Sequence, residues 1–161
     1  MIVIVMGVVG AGKTTVGRLL ASELGWQFAD ADDFHPASNV EKISQGIPLT
    51  DEDREPWLDR LRRAILKWVS DGQSTVLACS ALKRSYRARL QAAPEVRFVF
   101  LKGSAALIAQ RLRERHGHFA GEAILASQLA DLEQPEDAVT VDISGAPEQI
   151  VDQIRKALSL E

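Results

Sequence analysis

The run Gly7-Val8-Val9-Gly10-Ala11-Gly12-Lys13-Thr14 constrains this chain more than any other feature, because it satisfies G-x-x-x-x-G-K-[ST]. Its flanks are those the motif requires. Ile2–Met6 before it is short and apolar, and Thr14–Leu24 after it sets Val16, Leu19, Leu20 and Leu24 on one helical face. A strand, a glycine loop and a helix in that order form a phosphate cradle. The glycines let backbone N–H groups converge on phosphate oxygens, and the helix presents its positive end. In such a loop Lys13 reaches the β- and γ-phosphates and the Thr14 hydroxyl ligates Mg²⁺. The expected nucleotide set is Gly7, Gly10, Ala11, Gly12, Lys13, Thr14 and Thr15. An ordinary glycine-rich turn would account for the glycines but not for the Lys-Thr pair at that distance.

Four further runs read as strands: Trp26–Asp30, Thr75–Ser80, Val96–Lys102 and Val139–Ile143. Amphipathic stretches separate them, at Arg54–Val69, Arg84–Gln91, Ala105–Arg115, Ala123–Leu132 and Pro147–Leu158. Alternating strand and helix predicts a three-layer α/β/α sandwich around a mostly parallel five-stranded sheet. At 161 residues the chain is expected to be one domain, residues 1–161. In such sheets ligands bind beyond the carboxyl ends of the strands. Those ends are Gly7, Asp30, Ser80 and Lys102.

Composition removes several classes of function. Hydrophobic residues at 46% and charged residues at 25% can build a real core, which excludes disorder. Nineteen basic against 22 acidic residues give a net charge of −3, so no basic field suits nucleic acid or a membrane surface. One cysteine, Cys79, excludes an internal disulfide, and with only three histidines a zinc site lacks ligands. Met1–Met6 has no basic segment before it, and no apolar stretch approaches the roughly 20 residues of a membrane helix. The expected location is the cytoplasm.

A phosphate loop serves kinases, switches and motors alike. No guanine-reading Asn-Lys-x-Asp occurs, nor a long apolar run ending in paired acids. The second strand does end in Asp30-Ala31-Asp32-Asp33, where mutual repulsion asks for a cation or a hydroxyl donor. On an extended chain Asp30 and Asp32 would face the same way. Solvated, helix-capping acids ahead of Pro36 are the plainer alternative.

The runs His35-Pro36-Ala37-Ser38-Asn39-Val40-Glu41-Lys42-Ile43 and Gly46-Ile47-Pro48-Leu49-Thr50-Asp51-Glu52-Asp53-Arg54-Glu55-Pro56-Trp57-Leu58 resemble the gluconokinases. So do Cys79-Ser80-Ala81-Leu82-Lys83 with Tyr86-Arg87, Leu101-Lys102-Gly103, Arg115-His116-Gly117-His118-Phe119, and Ser127-Gln128 with Leu132-Glu133-Gln134-Pro135. These matches span nearly the whole chain in family order. The resemblance implies a small P-loop kinase that uses ATP and Mg²⁺ to phosphorylate D-gluconate to 6-phosphogluconate, commonly as a homodimer. It also implies a lid over about residues 111–122, with Gly117 and Gly121 as flexible points.

The residues agree in kind. Gluconate is a small anion carrying hydroxyls, so its pocket needs fixed cations and polar partners. His35, Lys42, Arg54, Lys83 and Arg87 are the cations at hand, and Asp32, Asn39, Asp53 and Ser80 the polar groups, with His118 added from the lid. Singly, Lys42 also reads as a solvated helix charge, Arg54 as the neighbour of a helix cap and Arg87 as part of a wet basic face. Trp57 and Trp68, eleven apart, read as core. Arg111 and Arg115 share a helical face and could swing over the γ-phosphate, or could simply complement a helix end. The resulting expectation makes Lys13, Asp32 and Arg115 catalytic, with Asp32 as base, Arg111 assisting at the nucleotide, and Asp30 holding metal-bound water. A shikimate or nucleoside monophosphate kinase is the nearest rival, although Ala78-Cys79-Ser80 lacks the glycine run expected for shikimate. A non-catalytic nucleotide-binding regulator is the other.

Overall fold

Strands this short and apolar need cover on both faces, and a computed structural model, describing residues 1–116 and 122–160, shows how the chain supplies it. The strands are β1 (Ile2–Met6), β2 (Gln27–Asp30), β3 (Thr75–Ala78), β4 (Val96–Lys102) and β5 (Val139–Asp142). They form one sheet in the order β2-β3-β1-β4-β5, every neighbouring pair parallel. The helices are α1 (Lys13–Leu24), α2 (Ala37–Ser44), α3 (Asp51–Ser70), α4 (Arg84–Leu90), α5 (Ala105–His116), α6 (Glu122–Asp131) and α7 (Pro147–Ala157). Val3 and Val5 face one layer, with Val16 and Leu20 of α1, Ile108 and Leu112 of α5, and Val151 and Ile154 of α7. Ile2, Ile4 and Met6 face the other, with Leu58, Leu61 and Ile65 of α3 and Leu90 of α4. The expected three-layer sandwich holds.

The structure differs from the sequence reading at element ends, where local hydrogen bonding decides, and in two short elements. Trp26 is not in β2, because its N–H donates to Ala21 O (2.9 Å) and closes α1 beyond Gly25. The α3 helix begins three residues before Arg54. Its Thr50 cap accepts from the Asp53 N–H (3.1 Å), while Asp53 Oδ2 accepts from the Thr50 N–H (2.9 Å). The sequence reading has no counterpart for α2 or for the 3₁₀ turn Ala31–Phe34. Both are short, and α2 leaves Val40 and Ile43 exposed, so neither shows an apolar stripe.

The register brings Val5, Ala78 and Asp30 to one level across β1, β3 and β2. Gly7, Ser80 and Asp32 each follow two residues later, at the carboxyl edge of the sheet.

Candidate active site

The phosphate loop is shaped by two left-handed glycines, Gly10 (φ +81) and Gly12 (φ +96). At Gly10 a side chain is excluded twice over, since a Cβ would also lie 2.8 Å from Leu112 Cγ of α5. Lys13 folds over the loop, its Nζ donating to Gly7 O (3.0 Å) and Val8 O (3.1 Å). Burial pulls the Lys13 ammonium below its ordinary pKa, against the opposing attraction of Asp32, Cys79 and Asp30. Cys79 itself is buried, and its thiol is pushed up to about 12, so it is an inert packing group.

Thr14 Oγ1 donates to Asp30 Oδ2 (3.3 Å), which sets two hard oxygen donors side by side at the start of α1. That pair suits Mg²⁺, which proteins commonly hold through one or two oxygens while phosphates and waters complete the shell. The other Asp30 oxygen, Oδ1, accepts from the Asp32 N–H (2.9 Å) and caps the 3₁₀ turn. The chain therefore bends at Asp30, and the extended arrangement expected for Asp30 and Asp32 is replaced by an Asx-type turn. Desolvation and then the Asp30 carboxylate push the Asp32 carboxyl above its ordinary range, with Lys13 opposing.

A cleft of about 630 Å³ opens along the loop from Gly10 to Gly12, past Thr15, and is bounded by Arg111, Arg115 and the Ser144–Pro147 turn after β5. Arg111 is held there by a bond from Nη2 to Ile143 O (2.6 Å), and Arg115 is exposed at its rim. Gly117, His118 and Gly121 lie outside the described residues.

Lys42, Arg54 and Lys83 around α3 are paired rather than free. Lys42 Nζ grips both Asp53 oxygens (2.9 and 2.8 Å), and this bond leads the causes that hold the Asp53 carboxyl down at about 2. Lys83 Nζ meets Asp51 Oδ1 (2.9 Å), which also accepts from the Tyr86 hydroxyl. Arg54 Nη1 donates to that hydroxyl (2.8 Å) and lies 3.8 Å from Asp131 Oδ2. Ser80 is half-buried just before Ala81, whose φ of +46 turns the β3–α4 loop. Lys42, Arg54 and Lys83 thus stand around α3, with Ser80 on that adjoining loop.

Two expected cations are corrected. Arg87 is buried, and its guanidinium donates to Ala81 O (2.8 Å), Leu82 O (3.1 Å) and Glu133 O (2.7 Å). It pins the Ser80–Lys83 loop to the chain after α6. His35 stacks on Trp57 (4.6 Å between centroids, 10° between planes), and its Nδ1 accepts from Asn39 Nδ2 (3.2 Å). Burial, then Arg54, lowers its pKa from 6.5 to about 4, so the ring is neutral at pH 7 and can only hydrogen-bond. The unfolded chain therefore takes up this proton first, and the stability linked to His35 is lost as pH falls from about 6.5 towards about 4. His35→Phe keeps the stacking and removes the titration. Its Tm is expected to drop less than that of the wild type between pH 7 and pH 4.5, and equal drops would place the acid sensitivity elsewhere.

Three groups build this region in ways the sequence reading does not anticipate: Asn39, expected as a polar partner of gluconate, and Tyr86 and Gln128, for which it gives no role. Asn39 is buried and also donates to Asp53 O (2.7 Å), tying α2 to α3. The Tyr86 hydroxyl bridges Arg54 and Asp51. Gln128 of α6 accepts the Val9 N–H on Oε1 (2.6 Å). The available signal was weak: a polar residue in an amphipathic segment reads as solvated unless its distant partner is known.

Comparison with known proteins agrees on a small kinase, with a broad family profile under one description and full-length relatives under another. The family profile described as "Shikimate kinase" matches residues 9–159. The chain is 44% identical to a gluconokinase of Gluconobacter oxydans, covering 98% of this chain and 91% of that one. It is 42% identical to the thermosensitive gluconokinase of Escherichia coli, covering 96% and 86%. A crystal structure of a gluconokinase from Sinorhizobium meliloti superposes with a TM-score of 0.87 at 42% identity, covering 98% and 90%.

Proposed function

We propose, from the premise that this chain belongs to the gluconokinase family, that it phosphorylates D-gluconate at the terminal hydroxyl with ATP, giving 6-phosphogluconate. The observation that carries this reading is the meeting of three groups at one sheet edge. Lys13 crosses the phosphate loop, the Thr14–Asp30 oxygen pair lies beside it, and Asp32 with its raised pKa follows from the next strand but one.

In this reading ATP lies along the Gly10–Gly12 loop, its phosphates held by backbone N–H groups, Lys13 and the start of α1. Thr14, with Asp30 through water, would hold Mg²⁺, whose charge offsets that of the phosphates. Gluconate lies across the carboxyl edge towards α3, where Arg54, Lys42 and Lys83 supply positive charge and Ser80 and His35 supply hydrogen bonds. Asp32 accepts the proton of the attacking hydroxyl as the new O–P bond forms and the bond to the leaving ADP oxygen breaks. A carboxylate with a raised pKa is better matched to that task than an ordinary one. Arg115, helped by Arg111, meets the charge on the transferring phosphoryl group. The lid over residues 111–122, a cytoplasmic location and a homodimer belong to the same proposal.

The test is ADP release with gluconate, shikimate and nucleoside monophosphates supplied in parallel. Turnover with gluconate at a kcat/KM at least about a hundredfold above the others is expected. Preference for shikimate or a nucleotide would reassign the substrate, and no release with any acceptor would favour a nucleotide-binding regulator.

A further inference from the structure

The Val8–Val9 peptide of the phosphate loop is held from both sides by side chains distant in sequence or function. Its carbonyl, Val8 O, accepts from Lys13 Nζ (3.1 Å) and from the Ala11 N–H (3.1 Å). Its amide, the Val9 N–H, donates to Gln128 Oε1 (2.6 Å), a half-buried residue of α6 that lies 119 positions further along the chain. The next residue, Gly10, is the one against which Leu112 of α5 packs. The helices on either side of residues 117–121 therefore stand on consecutive residues of the loop.

This arrangement has a consequence for catalysis. A phosphate loop works because successive N–H groups point inward together, and rotation of one peptide changes where its neighbours point. When Lys13 turns from the Val8 carbonyl to nucleotide phosphate, the loop loses one of its restraints on that peptide. The Gln128 bond acts on the opposite edge of the peptide and does not depend on Lys13.

We propose that Gln128 is a positioning residue of the phosphate loop, fixing the Val8–Val9 peptide through the Val9 N–H and making the seating of α6 a condition for a correctly shaped cradle. The inference rests on reading the loop as the ATP site of a gluconate kinase. Its effect should fall on turnover rather than on nucleotide affinity, because the Val9 N–H is already committed to Gln128 while reaction geometry tolerates little displacement.

The experiment compares wild type, Gln128→Met, which keeps length and removes the acceptor, and Gln128→Glu, which keeps an acceptor oxygen. Amide exchange and the proton shift of Val9 are followed by NMR, beside kcat with gluconate and Kd for ATP. In Gln128→Met the Val9 amide should exchange faster and move upfield, and kcat should fall about tenfold or more while Kd changes less than about threefold. In Gln128→Glu the Val9 amide should stay protected, which separates the bond from a general loss of folding. Unchanged kcat in a Gln128→Met variant whose Val9 amide has lost protection would overturn the proposal. Equal losses in kcat and ATP affinity would also overturn it, in favour of a loosened nucleotide site. A wild type that binds ATP but does not turn over gluconate would instead overturn the functional reading beneath it.

Discussion

Lys13→Ala is expected to lower kcat for gluconate phosphorylation by roughly 10³-fold or more, the scale lost when a charge-stabilising cation leaves a phosphoryl-transfer site. The fold should survive. Lys13 contributes bonds to Gly7 O and Val8 O, but the loop keeps the Ala11 N–H to Val8 O bond and the Gln128 bond to the Val9 N–H. Neither side of the core is touched, because the buried residues of α1 are Val16, Gly17, Leu20 and Ala21. A coupled ADP assay and a thermal melt on the same preparation check both halves. Near-normal turnover in a folded Lys13→Ala protein would remove Lys13 from the phosphates and the kinase reading with it.

Asp32→Asn is expected to cost roughly 10²–10⁴ in kcat, about 3–5 kcal/mol of barrier, because the amide can hydrogen-bond a hydroxyl but cannot take its proton. Gluconate and ATP should still bind. The raised pKa of Asp32 adds two signatures. In the wild type, kcat/KM should fall on the acid side at a pH above that of an ordinary aspartate, and this limb should vanish in Asp32→Asn. The stability sign runs the other way. A carboxyl whose folded pKa exceeds its unfolded value of 3.8 adds stability below that value and loses it as pH rises through the folded pKa. Above the folded pKa that stability is gone, so Asn should hold or raise Tm while activity collapses. Asp33→Asn, in the same turn and exposed like Asp32, should be mild. A fully active Asp32→Asn with an inactive Asp33→Asn would shift the base by one residue.

The sequence names the charged groups near α3 but not their partners. His35, Lys42, Arg54, Lys83 and Arg87 read as cations in sequence, which gives side chains and not available charge. The fold neutralises His35 by burial, spends Arg87 on three carbonyls, and sets Lys42 and Lys83 against Asp53 and Asp51. Each of these outcomes depends on a partner or a burial that sequence spacing does not encode. The resemblance to gluconokinases, by contrast, was legible because it lies in long contiguous runs.

The sequence by itself determined the phosphate loop, the alternation of strands and helices, and so the edge of the sheet at which chemistry must occur. Those features are written in neighbouring residues, since glycine conformations, β-branched runs and helical stripes act over a few positions. Only the tertiary structure decided how Asp30 and Asp32 divide their work, since a hydrogen bond from the Asp32 N–H to Asp30 turns the chain where alternation would have kept it straight. It alone made Arg87 a brace, His35 a neutral ring and Gln128 a support for the loop. Glu133 for Arg87, Trp57 for His35 and Val9 for Gln128 are remote in sequence, and only packing of the layers brings them into contact.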